Sequence, residues 1–246
     1  MTLPDLRALT AARLDLGATG VSVPLRAELD FRLAHARARD AVARELDVPA
    51  LCAALADAGL HSRTARSRVG DRREHLLRPD LGRRLAADDA AALDALNAAD
   101  GWDLACVVAD GLAALAAERH AVPLLSALLP SLRAEGWRIA PIIVATGGRV
   151  ALGDDVGERL GARLVLVLLG ERPGLGAPDS LGAYLTWAPR VGTLDSERNC
   201  VSNIRPGGLP PAQAAMTLGW LLREARRRAV SGVTLKDEAG EALPPG

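Results

Sequence analysis

Three short apolar runs constrain this chain more than anything else in it: Asp103–Ala109 (DLACVVA), Trp137–Thr146 (WRIAPIIVAT) and Arg163–Leu169 (RLVLVLL). Each breaks off at glycine, in Asp110-Gly111, in Gly147-Gly148, and in Gly170-Glu171-Arg172-Pro173-Gly174. None alternates polar with apolar residues, so each reads as a strand buried on both faces. A helical stretch through Leu132 follows the first run, a short one from Asp154 to Leu160 follows the second, and a last amphipathic one runs from Pro210 to Val230. Strands alternating with helices mean βαβ units and a parallel sheet.

The chain before Asp100 has a different character. Thr2, Pro4 and Asp5 open a helix that Gly17 stops. Ser22 and Pro24 open a second, with Leu25, Leu29, Leu33 and Ala36 on one face at helical spacing. A third runs from about Leu46 to Ala58 and ends at Gly59. Asp80 is placed to cap a further helix carrying Leu81, Leu85, Leu93 and Leu96. Between them, His61–Arg78 holds six arginines and no periodicity, as an irregular exposed loop would. The expectation is an α/β protein: a helical N-terminal domain, residues 1–98, followed by a Rossmann-like, doubly wound parallel-sheet domain, residues 99–246.

Composition removes whole classes of chemistry. Thirty basic residues balance thirty acidic ones, which argues against generic binding to nucleic acid or an acidic membrane. Lys236 is the single lysine and lies in a Gly-, Pro- and Glu-rich tail, which speaks against Schiff-base catalysis. Neither a Gly-Lys-Ser/Thr phosphate loop nor a Gly-x-Gly-x-x-Gly dinucleotide fingerprint is present. Three dispersed cysteines make neither a disulfide framework nor a zinc knuckle. The four histidines all lie at or before His120. The absence of a signal peptide and of any apolar run long enough to span a bilayer points to the cytoplasm.

Ligands of open parallel sheets sit beyond the carboxyl ends of the strands. That singles out Asp110-Gly111, Gly147-Gly148-Arg149-Val150 and Gly170-Glu171, each of which also reads as an ordinary turn. Position alone leaves Glu171 open between accepting hydrogen bonds from a ligand and pairing with Arg172 or a helix N-terminus. Cys200, alone of its type in that region, reads first as a small buried hydrophobe. The long polar segment from Asp179 to Asn203 has little helical period and reads as a lid, binding surface or interface.

Several motifs together resemble the small (light) subunit of ethanolamine ammonia-lyase. They are Gly170-Glu-Arg-Pro-Gly-Leu175, Pro178-Asp-Ser-Leu-Gly182, Ala188-Pro-Arg190, Glu197-Arg-Asn-Cys-Val-Ser-Asn-Ile-Arg205, His35-Ala-Arg-Ala-Arg-Asp-Ala-Val42, Arg78-Pro-Asp-Leu-Gly-Arg-Arg-Leu85 and Asp110-Gly-Leu112. They are collinear, and the likeness as a whole runs from Leu6 to about Val233. The resemblance implies adenosylcobalamin as cofactor and radical conversion of ethanolamine to acetaldehyde and ammonia. It implies a large barrel subunit as partner, usually six copies of each, which holds most of the substrate contacts and the catalytic side chains. It assigns cobalamin contacts of this subunit to Val150, Glu171 and Cys200, and no catalytic or metal-ligating residue. The chain departs from the family at Gly17-Ala18-Thr19-Gly20, Ala34 and Ala113, positions that bear on the N-terminal interface. It also begins almost at its first helix, without the extension that longer members use for bacterial microcompartments. An Asp-x-His-x-x-Gly motif is absent, which implies that cobalamin keeps its own benzimidazole on cobalt. Two other readings are an assembly subunit that never meets the cofactor, with His61–Arg78 and the exposed faces of the early helices as its interface, and an independent Rossmann-like enzyme, against which the missing dinucleotide fingerprint and the lack of histidine after His120 argue.

Overall fold

Apolar side chains that point alternately to opposite faces build the centre of this molecule. In the computed structural model, which describes residues 21–98 and 101–236, strand β2 (Trp102–Ala109) sends Leu104, Cys106 and Val108 to one face and Ala105, Val107 and Ala109 to the other. Strand β4 (Ala162–Gly170) divides Leu164, Leu166 and Leu168 from Val165, Val167 and Leu169 in the same way. This is the two-residue period of a strand covered on both sides. All three expected strands form, the middle one as β3 (Ile142–Thr146).

The sheet has six strands in the order β1-β3-β2-β4-β5-β6. Strands β1 (Ser62–Arg66), β3, β2 and β4 are parallel, whereas β5 (Leu181–Trp187) and β6 (Arg198–Ile204) add an antiparallel edge. The helices in chain order are α1 (Leu25–Ala43), α2 (Val48–Asp57), α3 (Arg72–Leu77), α4 (Ala87–Asp94), α5 (Ala114–Ala134), α6 (Leu152–Leu160) and α7 (Pro211–Arg228). Helices α2, α5 and α7 cover one face with Leu51, Leu55, Leu124, Leu128, Leu218 and Leu222. Helices α4 and α6 cover the other with Ala90, Leu93, Leu152, Val156 and Leu160. The α/β expectation, with helices leading into a mostly parallel sheet, is met. No helix among the described residues is long and apolar enough to cross a membrane.

Four local expectations are corrected. His61–Arg78 is not an irregular loop: it supplies edge strand β1, paired in parallel with β3, and then helix α3. The sheet therefore runs across the division expected at residue 98. Only Ala65 of β1 is buried, and the strand's arginines face outward, so charge hid the pattern. Asp179–Asn203 is not one long loop but carries β5 and the start of β6. Asp80 bonds Arg78 rather than capping a long helix; a short 3-10 turn, Leu81–Arg83, precedes α4. Leu25, Leu29 and Leu33 face outward on α1, whose buried residues are Ala34 and Ala41. The expected helix ending at Gly17 lies outside the described residues.

Candidate functional site

The carboxyl ends of β2 and β3 are tied together by one buried carboxylate. Asp110 Oδ1 accepts from the backbone N–H groups of Gly111 and Gly148, both at 3.0 Å. Its Oδ2 accepts from Gly147 N at 3.1 Å and from Arg72 Nη1 at 3.3 Å. The turns meet closely enough that a Cβ on Gly111 would strike the Gly170 carbonyl, and one on Gly170 would strike that of Ala113. These glycines serve backbone approach. They deliver Val150 and Glu171 to the same end of the sheet.

Glu171 follows the last residue of β4. Its Oε2 accepts from Ser180 Oγ at 2.5 Å and from Asn203 N at 3.3 Å. Among the described residues no donor meets Oε1. That oxygen lies 2.9 Å from where a Cβ on Gly182 would stand, and the same Cβ would lie 2.9 Å from Tyr184 Cε2. A side chain at position 182 would therefore force the Glu171 carboxylate and the Tyr184 ring to move. Arg172, the alternative partner considered for Glu171, forms no ion pair with it among the described residues.

Tyr184 joins Glu171 to Cys200. It stands opposite Cys200 across the β5–β6 pair, and the phenol and the thiol each act on the other's protonation. Cys200 is an exposed residue, so it is not the small buried hydrophobe that its type suggests. Protein packed around its sulfur nevertheless pushes the thiol above the usual range; the Glu171 charge adds to this and the Tyr184 hydroxyl opposes it. A thiol raised in this way is protonated at neutral pH, a packing group and weak donor rather than a nucleophile. Burial likewise drives the Tyr184 phenol upward, so it stays a neutral donor.

Val150 is half-buried in the turn before α6 and packs, like Tyr184, on the α4–α6 face. It lines a neighbouring cavity of about 360 Å³ together with Leu169, Leu194 and Arg198. Two separate connections thus present the three residues singled out from sequence. The structure gathers Glu171 and Cys200 around Tyr184 and sets Val150 in the adjoining cavity.

An ion pair hidden from the sequence reading fixes those connections. Arg198, first residue of β6, meets Asp154 of α6 through two bonds of 2.6 and 2.7 Å, with side chains only 3% and 1% exposed. Arg198 also donates to Thr186 Oγ1 at 3.1 Å and to the Thr193 carbonyl at 2.8 Å. Burial alone would lower the Arg198 pKa, but the bonds and charge of Asp154 more than reverse it. The pair spans 44 residues of chain and holds the helix that follows Val150 against the strand that carries Cys200. Tyr184 had a weak local signal, since LGAYLTW is a short apolar run of the kind a strand covered on both faces shows. The Asp154–Arg198 pair had none, because its partners are distant in sequence. Among the described residues no cluster of His, Cys, Asp and Glu could hold a metal ion.

Comparison with known proteins agrees with the motifs. The profile of the family described as ethanolamine ammonia-lyase light chain (EutC) matches residues 2–236. The ethanolamine ammonia-lyase small subunit of Bradyrhizobium diazoefficiens is 55% identical over 243 residues, covering 98% of this chain and 92% of its own length. That of Azotobacter vinelandii is 55% identical over 244 residues, covering 98% and 90%. The Ralstonia nicotianae protein of the same description is 54% identical over 236 residues, covering 95% and 87%. The chain belongs to the ethanolamine ammonia-lyase small-subunit family.

Proposed function

We propose that this chain is the cofactor-closing subunit of a cytoplasmic, adenosylcobalamin-dependent ethanolamine ammonia-lyase. It works with a large subunit, six copies of each, that binds ethanolamine and carries the catalytic side chains. When bound, adenosylcobalamin supplies the radical chemistry that splits ethanolamine into acetaldehyde and ammonia.

The residues fit the edge of a corrin ring, which carries primary amide side chains. One observation carries the reading: Glu171 is held by Ser180 and Asn203 through Oε2 alone, leaving Oε1 as an acceptor without a donor. An amide N–H of the ring edge satisfies that acceptor. Cys200 packs beside it as a neutral thiol, and Val150 with Leu169 offers an apolar wall. None of them moves a proton. Their work is to grip, orient and exclude water from a reactive intermediate.

The test is to titrate the complex of both subunits with adenosylcobalamin, following the change in visible absorbance. Glu171→Ala is expected to weaken binding by roughly 1.5–3 kcal/mol, the worth of a charge-assisted hydrogen bond. Unchanged affinity removes Glu171 from the site.

The exposed row Leu25, Leu29 and Leu33 on α1 favours a second reading, an assembly subunit without cofactor contact. That reading requires the large subunit alone to bind adenosylcobalamin as tightly as the complex does.

A further inference from the structure

The cavity beside Val150 carries positive charge that its surroundings leave unbalanced. Arg83, Arg149 and Arg198 line it against one carboxylate, Asp195. Arg198 is spent on Asp154, and Asp195 reaches its Nε at 3.2 Å. Arg83 and Arg149 have no carboxylate partner among the described residues. Arg149 donates from Nη2 to the His75 carbonyl at 2.7 Å, and its Nε is buried with no partner. Burial and the charges of Arg72, Arg83 and Arg172 bear down on the Arg149 guanidinium, with Asp110 in opposition. A guanidinium keeps its proton even so.

Backbone contact brings the two arginines together. Arg149 N donates to the Gly82 carbonyl at 2.8 Å. A Cβ on Gly82 would stand 2.8 Å from the Gly147 carbonyl and 2.9 Å from Arg149 Cγ. Only glycine lets the Leu81–Arg83 turn press against Gly147–Arg149, and the next residue along is Arg83. The cationic lining is therefore assembled from two distant segments.

We propose that Arg83 and Arg149 form a seat for a phosphodiester. Resting on the function proposed above, that group is the phosphodiester in the nucleotide tail of cobalamin. Guanidinium N–H groups match the tetrahedral oxygens of phosphate, and the cavity lies beside Val150, so the tail and the ring edge engage adjoining parts of one surface.

The experiment compares two corrinoids on the complex of both subunits. Adenosylcobalamin carries the phosphodiester, and adenosylcobinamide has the same ring without the nucleotide tail. Arg83 is exposed, so Arg83→Gln is compatible with folding. The variant is expected to bind adenosylcobalamin roughly 5- to 20-fold more weakly and adenosylcobinamide as the parent does. Arg83→Glu is expected to widen that gap, and added salt to narrow it. An equal loss for both corrinoids, or no loss for either, overturns the seat while leaving the Glu171 contact standing. A parent complex that binds neither corrinoid overturns the seat and the cofactor reading together.

Discussion

The two faces of the sheet are covered in different ways. On one, the long helices α5 and α7 and the shorter α2 lay down a dry apolar layer in which Leu125, Leu128 and Leu218 are fully buried. On the other, the nine-residue helix α6 is drawn close by glycines and fastened by charge. A Cβ on Gly153 would collide with Val167, and one on Gly157 would lie 2.5 Å from Pro189 Cγ. Asp155 takes bonds from Arg84 and Arg159 at 3.0 and 2.9 Å, and Asp154 holds Arg198. Apolar packing is broad and tolerant of direction, whereas a bidentate ion pair fixes orientation. Val150 and Tyr184 both pack on the second face. The lesson is a division of labour: one face carries bulk stability, and the other sets the geometry of the site.

The sharpest way to break that comparison is Asp154→Ala. It leaves Arg198 buried with only the exposed Asp195 as counter-charge, at a cost of roughly 3–5 kcal/mol. Denaturant melts are expected to show that loss, and cofactor affinity of the folded complex is expected to fall with it. Leu125→Ala on the opposite face is expected to cost roughly 2–5 kcal/mol by leaving a cavity. In that variant, affinity of the folded fraction stays at the parental value. Equal damage to affinity from both variants ends the distinction between the faces.

Gly153→Ala is a finer probe. Its new methyl group meets Val167, and overpacking of this kind costs roughly 1–3 kcal/mol. Because α6 must lift from the sheet, the variant is expected to loosen cofactor binding more than its loss of stability suggests. A Gly153→Ala complex with parental affinity shows that α6 has freedom the contacts deny.

The smallest effect concerns pH. His75 and His120 are both buried, and burial lowers their pKa values; Asp110 opposes this for His75, and Asp179 for His120. A histidine depressed in the folded state takes up its proton in the unfolded chain first. Its contribution is complete above the unfolded value, about 6.5, and is lost as pH falls toward the lower folded value. The melting temperature is therefore expected to drop from about pH 7.5 to about pH 6, a range in which ordinary carboxylates stay ionised. A flat or rising melting temperature contradicts the assignment.

Legibility in the sequence followed the same physics. The strands β2, β3 and β4 could be read because burial on both faces leaves unbroken apolar runs. Strand β1 could not, because an edge strand tolerates Arg63 and Arg66 on its open side. Strand β6 hid among polar residues, since a strand at the sheet margin buries few of its side chains, and the short apolar run of β5 was lost inside the polar segment around it. Glu171 could be found from its place after a buried run, but the orphan acceptor at Oε1 depends on Ser180 and Asn203 folding back on it. Cys200 gained its meaning from a resemblance between motifs and its neighbourhood from Tyr184. The Arg83–Arg149 pairing rests on the contact between Gly82 and Gly147, which no local pattern announces.

The account stands on the contact between this chain and the corrin ring. A cryo-EM map of the complex with its large subunit and adenosylcobalamin tests it most directly. The account predicts the ring edge against Val150, Glu171 and Cys200, with an amide side chain within hydrogen-bond reach of Glu171 Oε1. A ring enclosed by the large subunit alone, with those three residues facing solvent, would contradict it.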